Sequence, residues 1–167
     1  NGIITNVLNV TVASLSGNGT IAVQTGVTTV TGLTTPGGNR HIGILTAGAF
    51  ALSGSTVMEI NRTNVLNADR LTANAISFGG SLTVTNLGDP LQVGDTFQLF
   101  SGTLTGSFVS SNLPPLGFQN LNWDLSRFQS QGILRVVSSM ASMPVIANSF
   151  LAGTNFTLEV ESSQSGF

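Results

Sequence analysis

Short apolar or alternating runs follow one another along the first half of the chain. They fall at residues 3–12, 20–23, 27–30, 42–47, 57–60, 75–78 and 81–85. A period of two sends successive side chains to opposite faces of a pleated backbone, so each run predicts a strand. Turn formers separate them: Ser16-Gly17-Asn18-Gly19, Pro36-Gly37-Gly38-Asn39, Ser53-Gly54-Ser55 and Gly79-Gly80. Three segments, ASLSGNGTIAV, GAFALSGSTVMEI and NAISFGGSLTV, start at residues 13, 48 and 74 and share one form. Each is a small or apolar strand, a glycine turn, then Ser or Thr and a second strand. Recurrence at this interval marks solenoids and arrays, and favours an open stack of rungs over a closed barrel.

The pattern changes over residues 87–138, which hold the one Trp, several Phe and Pro114-Pro115. Strands are expected at 96–100, 107–110 and 132–137. A proline pair cannot sit in a central strand. It is expected to hold a loop that lays Leu113, Leu116, Phe118 and Trp123 over an open core, because the last rung of a solenoid needs a cap. The expected division is therefore solenoid rungs over 1–86, a β-rich cap over 87–138, and a linker with an incomplete strand over 139–167. The strand at 156–160 has no evident partner in the sequence. The fold class expected is all-β, a parallel β-solenoid with a C-terminal β cap; a β-sandwich is the alternative.

Composition sharpens this picture. The chain has 167 residues, 41% of them hydrophobic, which is enough for a real core. Charged residues are only 7%, and the basic ones are all Arg, with no Lys. A net charge of −2 gives no electrostatic footprint for nucleic acid. Mean hydropathy is +0.33, so burial can offset the entropy of ordering. Thr favours strands, whereas Asn, Gly and Ser favour turns. With no cysteine, a disulfide framework, a thiolate metal site and a cysteine nucleophile are all excluded. No apolar run approaches the roughly 18 residues of a membrane helix, so no membrane insertion is expected in this segment. The chain begins with Asn, in strand-like sequence, and is expected to be a processed protein or a portion of a larger one.

The segment TTPGGNRHIGILTAGAFALSGSTVMEI resembles a region of the autotransporter-associated β-strand repeat proteins, in which a Pro-Gly-Asn turn precedes a Gly-x-Leu-Thr strand and a Leu-x-x-Gly-Ser strand. NADRLTANAISFGGSLTVTNL is similar to their next step. VGDTFQLFSGTLTGSF and LPPLGFQNLNWDLSRFQSQGILRVV are similar to the segment that closes such arrays. The likeness covers roughly residues 13–138. It implies a right-handed parallel β-helix in a large secreted bacterial surface protein, used for display, adhesion or scaffolding. No membrane-barrel translocator follows in this sequence, so an autotransporter route is not implied. The tail from Pro144 is similar to the start of a small β-sandwich module.

Candidate chemistry is thin. A Ser/His/Asp triad needs a histidine, and His41 is the sole one, in the Gly-rich turn GGNRHIG. It is expected to be an exposed turn residue. The acids are Glu59, Asp69, Asp89, Asp95, Asp124, Glu159 and Glu161. Paired carboxylates could serve glycoside hydrolysis, and Glu59 and Asp69 could lie on neighbouring rungs. They are expected instead to be solvated residues at strand ends. Asp89 and Asp95 bracket LGDPLQVGD, where Ca²⁺ could bind weakly; Asx turns are the simpler expectation. Asn9, Asn18, Asn61 and Asn155 match the N-glycosylation sequon, as chance predicts in an Asn- and Thr-rich chain. No catalytic, cofactor-binding or metal-ligating residue is assigned, and no cofactor is expected.

These observations point to a non-enzymatic extracellular structural or surface-display protein. It would be a section of a large bacterial adhesin or the subunit of a surface fibre. Its partners would be more of the same polypeptide or identical subunits, joined through open β ends, with a surface glycan or cell-surface ligand as a further partner. The alternative is a non-catalytic spacer or carbohydrate-binding module of a secreted polysaccharide-active enzyme. With no Tyr and one Trp, the chain offers little for an exposed aromatic row.

Overall fold

The computed structural model describes residues 9–22, 26–117, 120–139, 145–152 and 155–161. The fold is a parallel β-solenoid of about four turns. Each full turn contributes strands to three stacks. The first stack holds β2 (Gly19–Ile21), β4 (Ile44–Ala47) and the start of β7 (Arg70–Phe78) and of β10 (Phe100–Gly106). The second holds the first half of β1 (Val10–Gly17) and of β3 (Thr28–Pro36), then β5 (Ala49–Leu52) and the ends of β7 and β10. The third holds the second halves of β1 and β3, then β6 (Ser55–Ile60), β8 (Ser81–Asn86) and β11 (Ser110–Asn112). The parallel stack thus continues past residue 86, into the region expected to be cap alone.

In-register pairing builds columns of like side chains. Leu45 lies over Leu71, and Leu71 over Phe100. Thr28, Phe50, Ile76 and Leu104 form a second column. The third reads Leu15, Thr34, Thr56, Leu82. Inward positions along each strand alternate with outward ones, so these columns fill the core and keep water out. Two inward positions carry hydroxyls with no partner among the described residues: the Oγ1 atoms of Thr28 and Thr56 are buried without a hydrogen bond.

The corner between the second and third stacks is where the chain most needs glycine. A Cβ on Gly54 would overlap the Gly32 carbonyl oxygen, and one on Gly80 would overlap that of Gly54. Gly80 also has φ +62°, in the left-handed region. Glycine here lets one rung settle onto the next at the ladder spacing. Of the three repeated segments in the sequence, the second and third are aligned neighbours, with Phe50 on Ile76 and Ser55 on Ser81. The first is out of phase. Its Ser16-Gly17-Asn18-Gly19 turn joins the third stack to the first, and the true equivalent of Gly54 one rung earlier is Gly32.

The last rung is closed by a different kind of structure. β9 (Thr96–Gln98) pairs antiparallel with β13 (Ile133–Ser138), which pairs antiparallel with β12 (Leu121–Asp124). A single helical turn, α1 (Phe128–Gln131), precedes β13 and ends at Gly132, whose φ is +71°. The residues that seal the core are only partly those expected. Leu113, Leu116 and Trp123 are half-buried against it, while Phe118 lies outside the described residues. The Trp123 indole N–H donates to the Pro114 carbonyl at 3.1 Å. The seal itself is a phenylalanine cluster. The Phe78 ring lies 4.7 Å from both Phe100 and Phe108, and Phe128 lies 5.8 Å from Phe100. Residues 107–109, expected to open a strand, form a turn, which brings Phe108 back over Phe78.

Further on, β14 (Val145–Ala152) and β15 (Asn155–Glu161) pair antiparallel. The strand read at 156–160 therefore has a partner, supplied by residues that the sequence pattern had assigned partly to a linker. The spacing hid this, because the run at 145–152 mixes Asn and Ser among its apolar residues without clean alternation.

Candidate functional site

The corners that join the third stack to the first carry most of the polar chemistry. One comprises residues 37–43, with Gly37, Gly38 and Gly43 among seven residues. Three bonds from neighbouring corners hold its backbone and the residue after it. The Arg40 amide donates to Glu59 Oε1 at 2.7 Å, and the Gly43 amide to Asp69 Oδ1 at 2.7 Å. The Ile44 amide donates to Asn18 Oδ1 at 2.7 Å. Asp69 Oδ2 accepts from the Glu59 amide, also at 2.7 Å. Short bonds from N–H groups to carboxylates are among the stronger hydrogen bonds in proteins. Their cost and benefit meet at Arg40, which holds φ +62° although it carries a side chain.

This corrects the expectation for Glu59 and Asp69. They are buried, Asp69 fully and Glu59 with 6% of its surface exposed. They do belong together, flanking one corner and gripping the corner of the preceding rung. Glu59 occupies an outward position on β6, and strand periodicity alone assigns such a position to solvent. Residues 37–43, distant in sequence, fold over it and exclude water. The one signal in the sequence was the density of glycine in that corner, which lets the backbone approach a neighbour closely.

Burial pushes the Asp69 carboxyl up to about 7, against the Gly43 and Glu59 amides that pull it down; the Glu59 carboxylate adds to the rise. Asp69 has both oxygens on backbone donors and no exposed surface. A general acid or base must face the proton it transfers, and Asp69 faces only the main chain. Glu59 differs in one respect. Its Oε2 is buried and has no hydrogen-bond donor among the described residues.

The other candidates are dispersed. His41 is exposed, with Nδ1 2.9 Å from the Asn39 carbonyl oxygen. Asp95 departs from the expected Asx turn: its Oδ2 accepts from the Gln92 amide, three residues before it, at 2.7 Å, and pairs with Arg62 at 3.0 Å. Asp89 is exposed in the preceding loop, where its carbonyl oxygen accepts from Asn86 Nδ2. Among the described residues, no group of three or more His, Asp or Glu could hold a metal ion, and no helix is long and apolar enough to cross a membrane.

Three sequon asparagines have a structural task that the sequence did not reveal. Asn9 Oδ1 accepts from the Val27 amide, Asn18 Oδ1 from the Ile44 amide, and Asn61 Oδ1 from the Thr63 amide. The side-chain carbonyls of Asn9 and Asn18 stand in for a backbone acceptor from one rung to the next, whereas that of Asn61 closes a local Asx turn. The side chain of Asn155 lies outside the described residues. Compared with known proteins, the chain matches no family model, no curated protein and no solved structure.

Proposed function

We propose that the chain is a non-enzymatic structural segment of an extracellular or cell-surface bacterial protein, either a section of a large adhesin or a subunit of a surface fibre. The observation that carries this is the outer side of β1, which is unpaired among the described residues. Val10–Gly17 pairs with β3 on one edge, and no described residue pairs with the other. That edge bears no charged residue. Proteins that guard an edge against association usually place Lys or another charge on it. An unguarded parallel edge is a template for strand addition, by more of the same polypeptide or by an identical subunit. The likeness of the sequence to surface-protein repeats agrees with this role, and so does the use of the buried carboxylates as backbone clamps.

The alternative, a carbohydrate-binding module, draws no support from the aromatic residues. Trp123 is half-buried with its N–H engaged, and the phenylalanines of the last rung pack on one another. Light scattering of the 167-residue chain over a range of concentrations tests the proposal. Growth of the mean mass with concentration, suppressed by Thr11→Lys at an exposed position of β1, is the expected result. A strictly monomeric species at high concentration overturns association by subunits. Release of sugars from pectin or xylan, abolished by Glu59→Gln, overturns the non-enzymatic role.

A further inference from the structure

The loop between β8 and β9 contains the one Asp-Pro bond of the chain, Asp89–Pro90. Both residues are exposed, while the loop around them is pinned. The Leu87 amide donates to the Ile60 carbonyl at 2.8 Å, and Leu91 is buried, with 1% of its surface exposed. Asn86, the last residue of β8, faces the bond. Its Oδ1 accepts from the Gly88 amide at 3.2 Å, which turns Nδ2 toward the carbonyls that follow. Nδ2 donates to the Asp89 carbonyl oxygen at 2.9 Å and to that of Gly88 at 3.3 Å. An amide donor therefore rests on the carbonyl of the Asp-Pro bond itself.

The other reacting groups lie in the bond's own two residues. The carboxylate of an aspartate and its main-chain carbonyl are joined through Cα and Cβ, so attack of one on the other closes a five-membered ring. No second residue has to be brought to the reacting atoms, and an attack within one residue needs no encounter. Proline alters the leaving side. Its nitrogen carries a ring carbon in place of hydrogen, and it departs as a secondary amine, basic enough to take a proton as the bond breaks. The negative charge of the addition step gathers on the carbonyl oxygen, the atom that Asn86 Nδ2 touches.

From this geometry we infer that Asp89–Pro90 is a self-cleavage site, with the Asp89 carboxylate as nucleophile and Asn86 as the oxyanion donor. A carboxylate oxygen of Asp89 adds to the Asp89 carbonyl carbon, and the C=O pair moves onto the oxygen held by Asn86 Nδ2. As that pair returns, the bond to Pro90 breaks and the nitrogen leaves with a proton taken from solvent. Residue 89 is then a cyclic anhydride. Water adds to either of its two carbonyls and opens the ring to a free aspartate with two carboxyls. The sum is one water consumed and one peptide bond lost, with no oxidation or reduction and no protease. The event is a single turnover within the chain, compatible with a non-enzymatic role. The two parts stay packed, because β10 and β11, beyond the break, pair with β7 and β8 before it. The site is remote from the outer side of β1, so this inference and the strand addition proposed above stand or fall separately.

The test incubates the 167-residue chain and a free peptide of residues 84–95 side by side at about pH 4, with cleavage followed by mass spectrometry. Fragments 1–89 and 90–167 are expected to form about tenfold faster than the peptide is cut, since only the folded loop holds Asn86 on the carbonyl. One such donor in a water-excluded site contributes about a hundredfold or more, and this one is open to solvent. Asp89→Ala, at an exposed side chain, should abolish cleavage, and Asn86→Ala should lower the rate to that of the peptide. In heavy-oxygen water the anhydride spreads the label over both carboxyls of Asp89, whereas direct attack by water labels the main-chain carboxyl alone. The comparison of chain with peptide needs no variant, so the inference stays testable if Asn86→Ala unfolds the chain. A chain cut no faster than the peptide, cleavage that persists in Asp89→Ala, an unchanged rate in folded Asn86→Ala, or label confined to the main-chain carboxyl overturns it.

Discussion

The rungs and the cap solve the same problem, a buried apolar interior, by opposite means. In the rungs, identity of position does the work. Leu45 sits on Leu71 and Phe50 on Ile76, and any aliphatic residue of similar size would serve at most of these sites. What cannot vary is the backbone at the corner, where Gly32, Gly54 and Gly80 allow each turn to settle on the last. In the cap, the backbone changes direction freely between β9, α1, β12 and β13, and particular side chains carry the closure. Phe78, Phe100, Phe108 and Phe128 lock together by ring geometry. Repetition places its constraint on glycine, and termination places it on aromatics.

Phe100 tests whether these two regions share one core, since it lies over Leu71 in the stack and against Phe128 in the cap. Phe100→Ala is expected to cost about 3–5 kcal/mol, the range for truncating a buried aromatic. A single cooperative urea transition should shift as a whole. Two separate transitions would break the idea of a common core.

Gly80→Val probes the constraint on the rungs. It introduces a Cβ against the Gly54 carbonyl and forces a β-branched residue to φ +62°. The expected loss is about 3 kcal/mol. Gly117→Ala in the cap, where nothing lies within 4 Å of the added carbon, should by contrast leave the melting temperature nearly unchanged. Equal losses at both positions would erase the distinction.

Asp69 sharpens the comparison through pH. Its carboxyl titrates at about 7 in the folded chain and at an ordinary 3.8 unfolded. The folded state holds the proton more tightly, so the extra stability is full below pH 3.8 and is lost as pH rises through 7. Thermal melts between pH 4 and 8 should show that decline. Asp69→Asn should flatten it while costing about 1–3 kcal/mol for the backbone donor it leaves unpaired. A decline of the same size in the Asn variant would assign it to other groups.

The smallest expected effect has the opposite sign. Thr56 presents a buried hydroxyl without a partner among the described residues. Thr56→Val should therefore raise stability by about 1 kcal/mol, readable as a higher urea midpoint. A loss would mean that the hydroxyl has a partner in solution.

How much of this was legible beforehand divides along the same line. Local signals were enough for the strand class, the parallel stack, and the turns at Gly54 and Gly79-Gly80, because period two and glycine report on the backbone directly. The phase of the first repeat was lost because Gly17 and Gly19 mark one corner and Gly54 another, and a glycine does not say which corner it makes. The burial of Glu59 and Asp69 was invisible for a different reason. It depends on residues 37–43 crossing over them, a contact 19 to 26 residues away that leaves no local pattern. The cap was half legible. Trp123 and Pro114 drew attention to the right place, whereas the Phe78–Phe108 contact required a turn at 107–109 that reads as strand.

The grip of Glu59 and Asp69 on the corner above has a consequence for how the stack comes apart. A solenoid behaves as a one-dimensional chain of units, each coupled only to its neighbours. The carboxylates lie on one side of such a junction and the Arg40 and Gly43 amides on the other, so these bonds belong to the coupling between two units rather than to either unit. A coupling that titrates makes the size of the cooperative block depend on acidity. In weak acid the turns on both sides of this junction should open together in hydrogen exchange. Above neutrality the block should divide there, the rungs before residue 44 exchanging ahead of those that rest on the phenylalanine seal.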